Sequence, residues 1–399
     1  MRITNRIPAS SIKQIPGNIE FVRIRSLVSF LFILGALCGL TPAQDFKPVQ
    51  DGIEHAQVTR EFSGKSVNIH LLRLDLKKVR LDVQRANDQA IGTETTSSIA
   101  TRHGAAAAIN AGFFRLDTSP FLGDPVGLLM IDGDLMSEAT NDRIQLIINN
   151  GPSQTDVLIA RSVISQSIRI GGDTYKVSGF NRERKDDELI IYTPKFGKTT
   201  LTNDDGVEIV IVKGNIFSVS QGVGNSVIPE NGYVLSATGA LRSLVGPRAR
   251  KEETVTLIVD WQIPQSFLKD RYKLDVVTGV PQLIKNGKID ITWEREKTNK
   301  AFVETRHPRT AVAKLRNGKF LMLTADGRSD TSAGLDLNDL AAYLLELGAT
   351  DAMNLDGGGS TTMFVDGKVV NRPSDATGER KVSDVLVVTP RGKNIRKLR

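Results

Sequence analysis

The chain has 399 residues, 40% hydrophobic and 24% charged, the balance of a globular protein long enough to bury a large core. Its formal charge is +7, but residues 1–43 hold five basic residues and one acidic, and without them the charge falls to +3. So small an excess argues against a nucleic-acid role, and the basic run 391–399 reads as a frayed tail.

Arg23 and Arg25 precede an apolar run, 27–40, and Thr41-Pro42-Ala43 closes it with a small residue. A basic start, a short apolar stretch and a small-residue cleavage site predict a secretory signal peptide over residues 1–43. The run of roughly 14 residues is shorter than the ~20 that cross a bilayer, so no stable membrane span is expected after cleavage. An uncleaved anchor is the alternative. The mature protein is expected to be secreted or periplasmic. The single cysteine, Cys38, falls in this segment. A mature chain that begins at Gln44 has no thiol, which excludes cysteine nucleophiles, iron–sulfur clusters and cysteine-ligated zinc.

Residues 44–105 read as a β-rich lead-in. Val67, Ile69 and Leu71, then Leu74, Leu76, Val79, Leu81 and Val83, alternate and predict a hairpin turned at Lys77-Lys78. A short helix follows, capped by Thr95 or Thr96 and stopped by Gly104. Residues 106–390 read as one catalytic domain. It opens on a small-residue strand, 106–110, that runs into Asn110-Ala111-Gly112-Phe113-Phe114. Polar and glycine residues interrupting an apolar run at a strand end mark either a site or a simple turn.

Strands at 144–149, 157–170, 188–192, 207–212 and 254–259 form a β-rich insertion. Asp132-Gly133, Asn150-Gly151, Asp205-Gly206, Lys213-Gly214 and Asn231-Gly232 punctuate it. Beyond it, an apolar strand at 320–324 ends in Ala325-Asp326-Gly327-Arg328. An amphipathic helix, 337–347, is capped by Asp336 and stopped at Gly348. Strands at 352–355, 361–365 and 368–370 surround the loop Asp356-Gly357-Gly358-Gly359, and 383–389 is the last strand. The fold class is α+β, with a mixed, largely antiparallel sheet, many hairpins and few helices.

The strongest motif is Asn354-Leu355-Asp356-Gly357-Gly358-Gly359-Ser360-Thr361-Thr362. Three glycines let the backbone approach a ligand and aim several N–H groups at an anion; the plain alternative is a tight turn between strands. It is not a P-loop, because no Gly-Lys-Ser/Thr is present and a strand follows instead of a helix. In Arg306-His307-Pro308-Arg309-Thr310, Arg309 either grips phosphate with two parallel N–H bonds or is a surface arginine. His307 alone is more often structural than catalytic. Asp326-Gly327-Arg328-Ser329 is either a type I turn or a carboxylate and a guanidinium at the mouth of a site.

Other chemistries find little support. There is no Gly-x-Ser-x-Gly elbow and no dinucleotide fingerprint. The four histidines, His55, His70, His103 and His307, are far apart in sequence. The Asp186-Asp187 and Asp204-Asp205 turns lack an EF-hand pattern. No cofactor and no metal site are expected.

Taken together, six segments in this order resemble the phosphodiester glycosidase family from about residue 106 to residue 388. They are Ala108-Ile109-Asn110-Ala111-Gly112-Phe113-Phe114, Pro125-Val126-Gly127-Leu128, Asn231-Gly232-Tyr233-Val234-Leu235-Ser236, His307-Pro308-Arg309-Thr310-Ala311, Asp326-Gly327-Arg328 and the Asn354–Thr361 run. One departure is Thr278-Gly279-Val280-Pro281, with a single glycine where family members often carry a glycine run. The resemblance implies a glycan or sugar-1-phosphate diester as substrate, N-acetylhexosamine types foremost, cut between the anomeric carbon and a phosphate oxygen. Such a reaction needs a carboxylate to attack the anomeric carbon or activate water, and a guanidinium to hold the phosphate. On that reading Asp356 and Asp326 are the catalytic carboxylates, with Glu138 and Asp384 in reserve. Arg309 and Arg328, with Thr310 beside them, hold phosphate. Asn110, Ser360 and the amides of Gly357, Gly358 and Gly359 position sugar or phosphate. Two other readings stay open: a phosphodiesterase that breaks the P–O bond and needs a metal, and a non-catalytic exopolysaccharide-binding protein.

Overall fold

The structure, a computed structural model, describes residues 44–140, 142–263 and 274–392. The signal-peptide segment and residues 393–399 of the basic tail lie outside the described residues. Two antiparallel sheets form the centre. The larger runs Lys47–Gln50, Ile53–Phe62, Lys65–Leu74, Phe320–Ala325, Arg309–Leu315, Ala349–Asn354, Gln282–Lys285, Lys288–Ile289. The smaller runs Lys368–Val369, Met363–Val365, Ala107–Asn110, Asp384–Pro390, Val79–Arg85.

Strand alternation dictates how these sheets pack, because successive side chains point to opposite faces. Leu72, Leu74, Val312, Met322 and Met353 of the larger sheet meet Leu81, Ile109, Met363, Leu386 and Val388 of the smaller in one buried core. The other face of the larger sheet, with Ile69, Leu71, Ala313 and Leu323, is covered by helix Leu337–Glu346 through Leu340 and Leu344. The other face of the smaller sheet, with Ala108, Val385 and Val387, is covered by helix Thr96–Arg102 through Ile99 and Ala100. Central strands are therefore buried on both faces, and Phe320–Ala325 is buried at every position. Both helices start on side-chain caps: Asp336 accepts from Asp339 N at 2.9 Å and Thr95 from Ser98 N at 3.3 Å.

The insertion builds its own five-stranded sheet, Gly179–Phe180, Leu189–Tyr192, Gly232–Ala237, Val207–Val212, Asn215–Gln221, over a separate core that includes Phe180, Ile191, Ile209 and Leu235. Pairing is parallel between Gly179–Phe180 and Leu189–Tyr192. Strand makes up 46% and helix 11%, so the α+β class with largely antiparallel sheets holds.

Three local expectations change. Strands Lys65–Leu74 and Val79–Arg85 do not pair as a hairpin; they enter different sheets, and the reversal at 75–78 crosses between them. Both present alternate apolar residues to the same core, and alternation looks alike whether two strands pair or face each other. The run 157–170 breaks into Thr155–Ala160 and Val163–Ile170, again in separate sheets. Residues 44–105 supply three strands of the larger sheet and an edge strand and helix of the smaller, so they are integral to the centre.

The helix Leu337–Glu346 offers a test of this packing. Leu340→Ala is expected to cost about 2–5 kcal/mol through the cavity it leaves, and Asp336→Ala about 0.5–2 kcal/mol through the lost cap. Urea unfolding of both variants checks the order, and a cap variant less stable than the core variant would contradict it.

Candidate active site

Strand ends converge where the two central sheets meet. Ala107–Asn110 and Ala349–Asn354 end there, while Arg309–Leu315 and Asp384–Pro390 begin. Asn110 is fully buried and serves three partners. Its amide nitrogen donates to the Asp356 carbonyl at 2.6 Å, and its amide oxygen accepts from the Thr310 hydroxyl at 2.8 Å and from Thr362 N at 3.1 Å. Asp356 N donates to the Ala111 carbonyl at 2.9 Å, and Gly358 N to the Pro308 carbonyl at 2.9 Å. The glycine loop is thereby pinned to both sheets.

That pinning explains the glycines. A Cβ on Gly357 would stand 2.7 Å from the Pro308 carbonyl oxygen, and Gly358 has a left-handed φ of 61°. A Cβ on Gly359 would collide with the side chains of Arg380 and Asp375.

Asp356 keeps some contact with solvent yet lies deep among protein atoms, and burial pushes its carboxyl up to about 7. The Ser360 hydroxyl, the Gly357 N–H at 3.0 Å and the Arg380 charge oppose that rise, while the Asp384 charge adds to it. Asp384 is buried, accepts from Gly112 N at 2.6 Å and from the Ser383 hydroxyl, and lies 3.7 Å from the buried Arg85 guanidinium. Arg85 is itself anchored on the carbonyls of Gln89 and Ala90.

Asp326 has different surroundings. Its Oδ1 accepts from Asn371 Nδ2 at 3.2 Å and from Arg372 N at 3.0 Å, and Asn371 also donates to the Thr361 carbonyl and accepts from Met363 N. Burial raises its carboxyl, and those two bonds and the Arg372 charge resist; Asp356 is not among the groups that shift it. The carboxylate that acts on Asp356 is Asp384, held in reserve by the sequence reading, while Asp326 holds the 371–372 segment against the loop. The other reserve, Glu138, is occupied by Arg182 at 2.5 Å and Phe180 N at 3.1 Å, on the insertion side.

The arginines divide sharply. Arg309, expected to hold phosphate, is 1% exposed and spends its guanidinium on three main-chain carbonyls. Nε donates to Leu335 at 2.9 Å, and Nη2 to Phe302 at 2.9 Å and Thr305 at 2.7 Å. It follows Pro308 at the very start of a buried strand, so its side chain turns into the wall and not toward solvent. Arg328 is exposed and has a left-handed backbone, φ 60°. Its Nη2 lies 3.1 Å from where a Gly358 Cβ would be, and His307 Nδ1 is 3.4 Å away. It makes no ion pair among the described residues. His307 is driven toward its neutral form by burial and by Arg309 and Arg328.

Asn371, Asp375 and Arg380 escaped the sequence reading. They sit in polar, turn-like stretches, Asn371-Arg372-Pro373-Ser374-Asp375 and Gly378-Glu379-Arg380, with no periodicity to set them apart. Among the described residues, no three His, Asp or Glu side chains gather as a metal site, and no helix is long and apolar enough to cross a membrane.

A carboxyl raised toward neutrality on a glycine loop, with a guanidinium on its flank, is an arrangement on a layered β scaffold that can meet an anion. The phosphodiester glycosidase family model matches residues 205–389, which carry the glycine loop, Arg328 and Asp384, and the resemblance read from the motifs stands. The chain is 30% identical over 198 residues to mouse N-acetylglucosamine-1-phosphodiester alpha-N-acetylglucosaminidase, a match covering 44% of this chain and 36% of that protein. The chain thus spans little more than a third of that relative. A solved structure of a hypothetical protein from Synechocystis superposes with a TM-score of 0.75 at 24% identity, covering 88% of this chain and 64% of that one. One from Burkholderia pseudomallei K96243 gives 0.71 at 24% identity, with coverages of 82% and 74%. At such identity these two show the fold.

The two arginines give a test of the division. Arg309→Gln is expected to lower stability by several kcal/mol, because each buried carbonyl left unpaired costs about 1–3 kcal/mol. Arg328→Gln should stay within about 0.5 kcal/mol of the parent. Thermal and urea unfolding read both, and a stable Arg309→Gln would remove the architectural role.

Proposed function

We propose that the chain is an exported glycoside hydrolase that cleaves the anomeric C–O bond of sugar-1-phosphate diesters, N-acetylhexosamine glycans foremost. The observation that carries this reading is Arg328, exposed and without a carboxylate partner among the described residues, set against the glycine loop that bears Asp356. The name of the mouse relative supports the substrate class, and the composition of residues 1–43 supports export.

The chemistry follows from charge. The leaving group is a phosphate monoester, which departs as an anion and needs little protonation. What the reaction needs is electron density at the anomeric carbon and cationic or N–H groups around the phosphate. Ionised Asp356 attacks that carbon or takes a proton from the attacking water. Arg328 and the amides of the glycine loop hold the phosphate, and Asn110 keeps the loop in place. Burial, with a smaller contribution from the Asp384 charge, keeps Asp356 basic enough to act near neutral pH.

The first test is hydrolysis of an N-acetylglucosamine 1-phosphate diester by the chain in ¹⁸O-water. Label is expected in the sugar, with turnover lost in Asp356→Asn. Label in the phosphate would mean P–O cleavage, and no turnover across a panel of diesters would favour a glycan-binding protein. The pH profile is a second test. A base that must be ionised makes kcat/KM rise with pH through about 7. Asp384→Asn removes the neighbouring charge that raises Asp356, so the rise should move to lower pH; an unmoved limb would detach Asp384 from the reaction.

A further inference from the structure

We propose that Arg380 is a second phosphate-binding residue, masked by Asp375 in the free protein and handed to the phosphate as its second negative charge appears. The proposal rests on the glycosidase reading above and extends it to how the product is held.

The glycine loop has a guanidinium on each flank. Arg328 lies beside Gly358, and Arg380 lies over Gly359, where a Cβ would collide with both Arg380 and Asp375. The two guanidinium groups differ in one respect. Arg328 has no carboxylate partner among the described residues, whereas Arg380 is gripped by Asp375 through Nε to Oδ2 at 2.7 Å and Nη2 to Oδ1 at 3.0 Å. Arg380 is close enough for its charge to act on the Asp356 carboxyl. Ser374, next to Asp375 in the chain, has a buried hydroxyl with no hydrogen-bond partner among the described residues.

The backbone around Arg380 is fixed. Glu379 accepts from Ser97 N at 3.1 Å and from the Ser97 hydroxyl at 2.6 Å, and Lys381–Val382 pairs with Glu94–Thr95. A change of partner therefore needs only a side-chain rotation. Both members of the pair are about a quarter exposed, 28% and 25%. Ion pairs that reach water contribute about 0–1 kcal/mol, so exchanging one for another anion costs little. Carboxylate and phosphate present the same two-oxygen edge to the guanidinium fork.

The reaction supplies the reason for a masked cation. A phosphodiester carries one negative charge, which Arg328 and the loop amides can meet. When the C–O bond breaks, its electron pair goes to the phosphate oxygen, water supplies the hydroxyl to the anomeric carbon, and the water proton leaves through Asp356 to solvent. The phosphate monoester can then carry two charges, and a cation held in reserve favours that state over the diester. Binding that grows along the reaction coordinate accelerates the step, whereas equal binding of substrate does not.

Titration calorimetry at pH 8 with inorganic phosphate, a dianion, and with dimethyl phosphate, a monoanion, tests this without turnover. Asp375→Asn is expected to bind inorganic phosphate about tenfold more tightly, a change of about 1.4 kcal/mol, with dimethyl phosphate nearly unchanged. Arg380→Gln should lose inorganic phosphate by a similar factor, and the double variant should match Arg380→Gln. Unchanged or weaker phosphate binding in Asp375→Asn overturns the proposal. Should that variant not fold, unchanged phosphate affinity in Arg380→Gln overturns it alone. If phosphate binding behaves as expected while the ¹⁸O experiment shows no sugar label, the glycosidase reading fails and the masked site stands. If sugar label appears and neither variant moves phosphate affinity, the masked site fails by itself.

Discussion

The buried side chain of Asn110 is the interaction on which the candidate site hangs. A carboxamide carries a donor and an acceptor at once, and at this point each is used. One end holds the carbonyl of Asp356, and the other accepts from Thr310 of the larger sheet and from Thr362 ahead of the smaller sheet's Met363–Val365 strand. An unpaired amide in such a place would cost about 1–3 kcal/mol per group, so the arrangement leaves little freedom for the loop. The layered core sets the distance between the sheets, and Asn110 turns that distance into the position of a carboxyl.

From this anchor the electrostatics follow. Enclosure raises Asp356 toward neutrality, and the buried Arg85–Asp384 pair brings a second carboxylate close enough to raise it further. Burying such a pair is expensive unless its remaining atoms are satisfied. Here Gly112 N, the Ser383 hydroxyl and two backbone carbonyls satisfy them. The pair therefore serves the site and the strand register together, since Asp384 also opens a central strand.

Three arginines near the loop show how little a residue type says alone. Among the described residues, Arg309 is consumed by carbonyls, Arg380 by a carboxylate, and Arg328 by neither. Desolvation explains the first. A guanidinium taken out of water must find acceptors, and the carbonyls of Phe302, Thr305 and Leu335 provide them while closing the wall behind His307. In the sequence, Arg309 stood out because it sits in His-Pro-Arg-Thr, whereas Arg380 sat in an unremarked polar turn.

The sequence alone determined the elements and the loop. Alternation and helical spacing marked most strands, the helix after Asp336 and the α+β class, because those periods are properties of the local chain. The glycine run at 357–359 marked a close backbone approach, because only glycine tolerates it. Tertiary structure decided the partners. Whether Lys65–Leu74 pairs with Val79–Arg85 or faces it across a core depends on what covers each sheet, and alternation is blind to that. Whether Asp326 or Asp384 acts on Asp356, and whether an arginine meets carbonyl, carboxylate or solvent, depends on burial and on which turns and strand ends the fold brings together. Charge interactions in a folded interior are set by distance and desolvation, and neither quantity is written along a chain.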